Sequence, residues 1–311
     1  MTVCFGIAII PYLEFSLLVI KNYRHFDVIH CHDLNTLPIG VAIKLFFNKK
    51  VKVVYDAHEY ETETVYLKGV ERILAKAFER ISIRKVDAVI TVSESIASAY
   101  RKLYNIKKPF LVKNYPYYCK VQKNDEFREI FKIHQNTIIY LYQGGFYPKR
   151  GIENILKAFN ALRQENKAVV FMGSGPLENL IVNESNQNNI FFLKEVDQKN
   201  LLKYTFSADF GLCLTQNESL NHQYSLPNKL FEYIMARIPV IVSNLYEMKK
   251  LVVENGIGVI SENDTTVSLL KAIKKSDALD LPKIKKNLEV AAQKYRWETQ
   301  AKILLDVYRN L

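Results

Sequence analysis

The sequence has few cysteines, and they lie far apart. Cys4, Cys31, Cys119 and Cys213 form neither a CxxC pair nor a mixed Cys/His spacing. This pattern predicts neither a disulfide framework nor a structural zinc site. It is typical of reduced, mostly buried thiols, so we expect a cytoplasmic protein.

Long uninterrupted apolar runs are also missing. The most hydrophobic stretch, residues 3–20, contains Pro11 and Glu14, whereas a membrane span needs about 20 mostly apolar residues. It also lacks the basic start and the small-residue cleavage site of a signal peptide. We expect a buried or membrane-facing helix of a folded domain rather than a span.

Acidic residues are too few to balance the basic ones. The 311 residues include 43 Lys and Arg against 32 Asp and Glu, a formal net charge of +11. This excess favours an anionic partner: nucleic acid, an acidic membrane surface or a phosphorylated substrate. No nucleic-acid recognition motif is present, so we do not expect nucleic acid as the partner.

Short β-branched runs alternate with amphipathic stretches along most of the chain, which predicts parallel sheets built from βαβ units. Predicted strands are 27–31, 51–55, 88–92, 110–113, 137–142, 168–172, 190–193, 208–214 and 239–243. Predicted helices are 35–48, 67–86, 94–104, 152–165, 198–207 and 227–236. The rhythm breaks at residues 114–116. We therefore predict two Rossmann-like, doubly wound α/β domains, at 1–116 and 117–294, with a ligand cleft between them and a terminal helix at 295–311.

The segment SLPNKLFEYIMARIPVIV, residues 225–242, is the strongest candidate for a binding site. Ser225 suits an N-cap and Pro227 suits the first helical turn. Lys229 and Glu232 would share one helix face, where the cation can meet a diphosphate and the carboxylate can accept from two ribose hydroxyls. On spacing alone, a surface ion pair between them is the more common explanation.

Two glycine-rich turns each follow a predicted strand. QGGFYPKRG, residues 143–151, contains Gly144 and Gly145 and ends with basic residues that can neutralise a pyrophosphate. The second turn is Gly173-Ser174-Gly175-Pro176. Plain turns with solvated basic residues are the more common explanation of such patterns.

Polar side chains also follow two strands of the first domain, namely His30, His32, Asp33, Asp56, His58 and Glu59. The carboxyl ends of neighbouring strands are where α/β folds place their sites. No HxxxH or similar spacing is present, so the pattern favours catalysis over a metal site.

A basic row recurs every fourth residue in the predicted 67–86 helix, at Lys68, Arg72, Lys76, Arg80 and Arg84. An apolar side accompanies it, formed by Val70, Ile73, Leu74, Ala77, Phe78 and Ile81. A basic amphipathic helix suits an anionic membrane surface. A solvated helix face, with Glu71 and Glu79 as partners, explains the pattern equally well.

Taken together, these segments resemble the family-4 glycosyltransferases. DVIHCHD, VVYDAHE, DAVITVSES, YQGGF with KRG, MGSGP, SADFGLCL and SLPNKLFEYIMARIPVIVSN occur in the family's order from about residue 26 to the C-terminus. The resemblance implies a GT-B fold and retaining, hexosyl-type transfer from a nucleotide-diphosphate sugar, with no metal or other cofactor. It also implies a glycan or lipid-linked acceptor and a role in bacterial capsule, exopolysaccharide or lipopolysaccharide synthesis. Separately, the basic row and the apolar first 20 residues suggest peripheral attachment of this cytoplasmic protein to the inner face of the plasma membrane.

The resemblance also assigns roles to residues. His58 matches the active-site histidine near the donor sugar, Arg150 matches the residue that holds the diphosphate, and Glu232 matches the ribose-binding acid. Lys229 joins them in the catalytic set. The implied donor-binding residues are Gly144, Gly145, Gly173, Ser174, Gly175, Val196, Asp197, Ser225, Leu226 and Asn228. The acceptor-side candidates are His32, Asp33 and Glu59.

The sequence departs from the family pattern at three points. Tyr224 stands where the family has an acid, for which Glu218 is a nearby substitute, and Gly145 stands where an arginine is common. Only 26 residues precede the first predicted strand, too few for the family's first βαβ unit, so we expect an incomplete first domain. The alternatives are a relative that binds nucleotide without turnover or needs a partner chain, and a sugar-nucleotide epimerase of the same fold.

Overall fold

The computed structural model describes residues 9–185 and 188–311, with side chains from residue 11 onward. The chain divides into two compact units. The first unit contains the chain up to Lys113 together with Ser219–Ser225 and Gln300–Leu311, and the second contains Asn114–Glu218 and Leu226–Thr299.

The first unit contains a parallel sheet whose described strands lie in chain order. They are β1 (Val28–His32), β2 (Lys52–Ala57), β3 (Ala88–Thr91) and β4 (Phe110–Leu111). In the register of β1 and β2, His32 lies opposite Asp56. Each strand overlaps a predicted one, which confirms the sequence-based assignment for this sheet.

Helices pack around this sheet. They are α1 (Ile9–Tyr23), α2 (Asp33–Ala42), which continues as a π-helical turn over Ile43–Phe47, α3 (Gly69–Ser82) and α4 (Glu94–Tyr104). Two segments from later in the chain also contribute to the first unit. They are a short helix at Leu220–Tyr224 and the end of a helix at Trp297–Arg309.

Helix α3 turns a polar residue inward and its apolar side outward. Glu79 is fully buried, and its carboxylate accepts hydrogen bonds from Tyr55 at 2.7 Å and Tyr100 at 2.8 Å, and also from Tyr104. These bonds fix the face that α3 presents to the core. Glu79 is therefore not a solvated partner of the basic row, and that part of the sequence interpretation was wrong.

The apolar side of α3 lies in solvent as a result. Val70, Ile73, Leu74 and Ile81 each expose 62–69% of their surface, and Phe78 exposes 44%. Burying a side chain of this kind stabilises a protein by about 1.5–3 kcal/mol. Five exposed apolar side chains on one side of a helix therefore indicate a surface that binds a partner.

The basic row of α3 is partly engaged within the first unit. Arg72 and Lys76 both pair with the carboxylate of Glu63. Arg80 donates to the carbonyl oxygen of Leu103 at 3.2 Å, and no acid among residues 9–185 and 188–311 forms an ion pair with it.

The N-terminal apolar stretch falls partly on α1 and partly outside the described residues, where Cys4 also lies. Val19 and Ile20 of α1 pack against the buried cluster of Cys31 and Ile39, whereas Leu17 exposes 66% of its surface. Within residues 9–185 and 188–311, no helix has both the length and the apolarity that a membrane crossing requires.

The second unit contains a larger parallel sheet. Its described strands are β5 (Ile138–Gln143), β6 (Lys167–Gly173), β7 (Ile190–Lys194), β8 (Phe210–Cys213), β9 (Val240–Ser243) and β10 (Gly258–Ser261). They follow the order β10-β9-β8-β5-β6-β7 across the sheet. The reversal of strand order at β5 is the doubly wound pattern predicted from the sequence. Strand β10 was not among the predicted strands; it extends the sheet beside β9.

The described helices of the second unit are α5 (Glu126–Phe131), α6 (Ile152–Ala161), α7 (Glu178–Glu184), α8 (Gln198–Thr205), α10 (Asn228–Met235), α11 (Tyr246–Asn255), α12 (Thr266–Ser276) and α13 (Leu281–Lys294). The two helices named above that contribute to the first unit are α9 (Leu220–Tyr224) and α14 (Trp297–Arg309).

Strand β5 shows how the core of the second unit forms on both faces of the sheet. Ile139 and Leu141 point into one buried cluster, whereas Tyr140 and Tyr142 point into the other. This alternation follows from the two-residue period of a strand. A strand buried on both faces is expected at the centre of a parallel α/β sheet.

Candidate functional site

Two loops of the second unit, after β5 and β6, pack backbone against backbone. The amide of Gly144 donates to the carbonyl of Met172 at 2.9 Å, and the amide of Phe146 donates to the carbonyl of Ser174 at 2.8 Å. A Cβ atom on Gly173 would lie 2.0 Å from the Gly144 oxygen. The close approach of the two loops therefore requires glycine at position 173, and no ligand contact is needed to explain the residue there.

The other glycines of these loops differ in what surrounds them. A Cβ atom on Gly175 would lie 2.8 Å from the backbone of Phe146, so this position is also closed. On Gly145 a Cβ atom would meet only the ring of Tyr147, a half-exposed side chain. Gly144, with φ +106°, faces the end of the Lys229 side chain.

Helix α10 places Lys229 against the loop after β5. Its Nζ atom lies 3.7 Å from the centroid of the Tyr142 ring, a cation–π contact. Burial and the positive charge of Arg150 together lower the pKa of Lys229 to about 8, against the opposing effects of Cys213 and Glu232. The surroundings of Lys229 therefore disfavour the charged form of its side chain.

Arg150 supplies the second cation. It lies between β5 and α6, just before Gly151, whose φ of +78° and contact with the Leu214 oxygen exclude a side chain there. Within the described chain, the side chains of Lys229 and Arg150 make no hydrogen bond and no ion pair with an acid. Two neighbouring cations that form no ion pair with an acid of the described chain are suited to binding an anion.

Glu232 lies one turn further along α10 and is fixed by amides. The side-chain amide of Gln143 donates to its carboxylate, and Thr205 Oγ1 donates to the Gln143 oxygen at 2.8 Å. Gln198 also hydrogen-bonds to Glu232; burial raises the pKa of this carboxyl, and the bond from Gln143 opposes the rise.

These partners exclude the surface ion pair that the spacing of Lys229 and Glu232 suggested. Both side chains are half-buried, and each is held by other groups: the ring of Tyr142 for Lys229 and the amide of Gln143 for Glu232. Gln143 and Thr205 orient the carboxylate. On sequence alone, Gln143 is only the first residue of the glycine-rich turn, and Thr205 is not singled out. They lie 89 and 27 positions from Glu232 in the chain, and no local pattern connects them to it.

The remaining residues predicted to bind the donor lie in different surroundings. The Ser174 hydroxyl donates to the carboxylate of Glu195, so it is already bonded. Val196 packs against the core of the second unit, and Asp197 precedes α8. Leu226 is buried, whereas Asn228, the first residue of α10, is exposed.

Ser225 does not cap α10, contrary to expectation. The helix begins at Asn228 with Pro227 as its N-cap residue. Ser225 instead follows α9 and donates its hydroxyl to the carbonyl of His222 at 3.0 Å, and it belongs to the first unit.

Tyr224 and Glu218 have packing and pairing roles of their own. The ring of Tyr224 stacks on Tyr60 in the first unit, with centroids 6.1 Å apart and planes inclined by 11°. Glu218 accepts a hydrogen bond from Lys149 Nζ at 2.8 Å in the second unit. Lys149 is therefore paired, unlike its neighbour Arg150.

In the first unit, histidines and acids gather where β1 and β2 end. Nδ1 of His32 lies 2.9 Å from Nε2 of His58, which is 3.7 Å from Asp56 Oδ2. The backbone amide of His58 donates to Asp33 Oδ1 at 3.2 Å. Burial, with the neighbouring His30, lowers the pKa of His32. The sequence-predicted cluster at these strand ends is thus assembled.

Two further residues of this region were not foreseen. Asn221 of α9 donates to Glu59 at 3.1 Å and accepts from the backbone amide of Tyr60 at 2.9 Å. Burial and the neighbouring Asp33 raise the pKa of the Glu61 carboxyl well above its ordinary value. Asn221 follows this loop by more than 150 positions, which explains why no local signal revealed it.

Family models match both parts of the chain. The model described as "Glycosyl transferases group 1" matches residues 123–295, more than half of the chain. The chain belongs to the group 1 glycosyl transferases. A second model, "Glycosyltransferase Family 4", matches residues 6–113 of this glycosyltransferase.

Curated relatives agree at low identity. An uncharacterised glycosyltransferase of Methanocaldococcus jannaschii is 25% identical, over 94% of this chain and 77% of the relative. The chitobiosyldiphosphodolichol beta-mannosyltransferase of Debaryomyces hansenii is 24% identical, over 91% of this chain and 68% of the relative.

Solved structures share the architecture of this glycosyltransferase. Anabaena HepE in complex with UDP superposes with a TM-score of 0.75 at 14% identity, over 96% of this chain and 82% of that one. Sucrose-phosphate synthase from Thermosynechococcus elongatus gives 0.74 at 18% identity, over 96% and 76%. The likeness confirms the GT-B fold, with two Rossmann-like α/β domains.

The loop packing yields a stability prediction. Gly173→Ala should lower the free energy of unfolding by about 2 kcal/mol or more, because the added Cβ meets backbone in a left-handed conformation. Gly145→Ala, in the partner loop, should cost less, since only a half-exposed ring must move. Urea denaturation measures both, and equal losses would contradict the packing role of Gly173.

Proposed function

We propose that this glycosyltransferase moves a sugar from a nucleotide-diphosphate donor to a glycan or lipid-linked acceptor, with retention of configuration and without a metal. The observation that carries the proposal is the pair of cations, Lys229 and Arg150, which have no acidic partner in the described chain. Glu232 lies beside them on α10, held by Gln143. Diphosphate and ribose present the charge and the hydroxyls that such a set binds.

The solved relatives support a donor of this kind. Structures of Anabaena HepE contain UDP, UDP with glucose, and UDP-glucose. A Staphylococcus aureus TarM variant with a TM-score of 0.67 contains UDP together with sugar ligands. We infer a uridine or similar nucleoside diphosphate sugar as the donor, and UDP is the first probe to use.

Charge at the leaving group explains why two cations are needed. When the bond between the sugar and the diphosphate breaks, negative charge grows on the phosphate oxygen. Preorganised positive groups stabilise that charge more strongly than they stabilise the intact donor, which lowers the barrier. In this proposal Lys229 and Arg150 supply the charge and Glu232 fixes the ribose.

The first unit carries the remaining roles in this proposal. His58, held through its backbone amide by Asp33, positions the donor sugar. His32, Asp33 and Glu59 serve the acceptor. The acceptor of such an enzyme in surface polysaccharide synthesis is a growing glycan or a lipid-linked sugar.

We further propose that the first unit binds an anionic membrane surface through α3. The exposed set Val70, Ile73, Leu74, Phe78 and Ile81 lies on a helix that also bears Arg80, which forms no ion pair with an acid in the part of the chain that the structure describes. An apolar face flanked by basic residues inserts at the interface of a membrane with negatively charged lipids. A lipid-linked acceptor would be found at the same surface.

Removing either cation should lower turnover sharply. We expect Arg150→Ala and Lys229→Met each to reduce transfer from the donor about 100- to 1,000-fold, with little change in stability, because each removes one stabiliser of the leaving group. Lys203→Ala is the matched control, since this lysine of the same unit already pairs with Glu126. Near-wild-type turnover in both site variants would refute the assignment. Tight UDP binding by wild-type protein with no transfer to any acceptor would favour the binding-only alternative.

Replacing the exposed apolar residues of α3 should release the protein from membranes. We expect the triple variant Ile73→Gln, Leu74→Gln, Ile81→Gln to lose at least about tenfold in affinity for vesicles of phosphatidylglycerol and phosphatidylcholine. Co-sedimentation measures the binding. The control replaces Val253 and Val290, equally exposed in the second unit, by Gln. Equal binding of the triple variant and the control, or no binding of the wild type, would contradict the proposal.

A further inference from the structure

Three side chains of the kinds that can bind metals lie close together in the first unit, on two neighbouring strands. His30 and His32 are two residues apart on β1, so their side chains lie on the same face of the sheet. Asp56 of β2 lies opposite His32 in the strand register. The cluster therefore follows from strand geometry, and no helical HxxxH spacing is needed to produce it.

The distances in this cluster suit a single small cation. His30 Nε2 lies 3.2 Å from Asp56 Oδ2, and His32 Nδ1 lies 3.8 Å from the same oxygen. One ligand atom from each of the three residues lies within 4.8 Å of the other two. Ligands bonded to zinc at about 2.0–2.1 Å in a tetrahedral arrangement are about 3.3 Å apart. The two separations from Asp56 Oδ2, 3.2 and 3.8 Å, bracket that spacing.

The surroundings of the cluster support a metal-binding orientation. Nδ1 of His30 lies 2.5 Å from the hydroxyl of Tyr308, which leaves Nε2 directed at Asp56. Ligating histidines usually have such a partner on the second ring nitrogen, because it fixes the ring. His58 Nε2, 3.7 Å from Asp56 Oδ2, is a further nitrogen beside the same oxygen.

We propose that His30, His32 and Asp56 form a binding site for a late first-row divalent transition-metal ion such as zinc, with His58 in place to become a fourth ligand. Imidazole nitrogens suit zinc, nickel and copper, whereas magnesium and calcium prefer all-oxygen sites. Side-chain exposures of 59% for His32 and 34% for His58 leave the site open to an ion from solvent. This site goes beyond the proposed sugar transfer. That transfer uses His32 and His58 without a metal, so an ion bound here would block it rather than take part in it.

Calorimetric titration of zinc into the chelator-treated full chain, prepared without a polyhistidine tag, tests the site. We expect one tightly bound ion per chain, and a loss of at least about tenfold in affinity for His30→Gln and for Asp56→Asn. His25→Gln, an exposed histidine of the same unit, should bind as the wild type does. Magnesium should give no binding under the same conditions.

A second measurement covers the case in which a variant does not fold. Cobalt(II) added to the wild-type chain should give the strong visible absorption of a low-coordinate site, and zinc should displace it. Unchanged zinc affinity in folded His30→Gln, or a wild-type chain that binds neither ion, would overturn the proposal and leave a plain hydrogen-bonded cluster. Because no sugar transfer is measured, the outcome does not depend on the proposed function.

Discussion

The ammonium of Lys229 is held over the ring of Tyr142, beside a second cation, and no acid among the described residues forms an ion pair with it. Several groups of the second unit fix this position. Gly144 leaves room for the lysine stem, and the loop that contains Gly144 is fixed by its backbone packing against Gly173. Gln143, from the same loop, then orients Glu232 on the following turn of α10.

Holding a cation in this way lowers the stability of the free protein and favours an anion. Burial and Arg150 both act against the charge of Lys229, as its lowered pKa shows. In the proposed function a diphosphate would reverse that balance, because it would supply negative charge beside the two cations. Preorganised positive charge of this kind is what stabilises a departing phosphate.

Local patterns in the sequence predicted the strands well and the contacts less well. Strands such as β5 and β9 begin within one residue of their predicted positions, because alternation and β-branched runs are local signals. The orientation of α3 was not predictable in this way. It depends on Glu79 meeting Tyr55, Tyr100 and Tyr104, which belong to β2 and α4.

The candidate site shows the same division. The motif order identified the family, and Lys229, Arg150 and Glu232 lie together as their segments suggested. Ser225, in contrast, bonds back to α9, because the helix N-terminus falls at Pro227.

The proton balance of UDP binding tests the central claim most directly, by calorimetry at about pH 8.5 in buffers of different ionisation enthalpy. Lys229 is then mostly neutral in the free protein, so the wild type should take up a proton on binding UDP, whereas Lys229→Met should not. Binding without proton uptake, or equal uptake in the variant, would contradict the account.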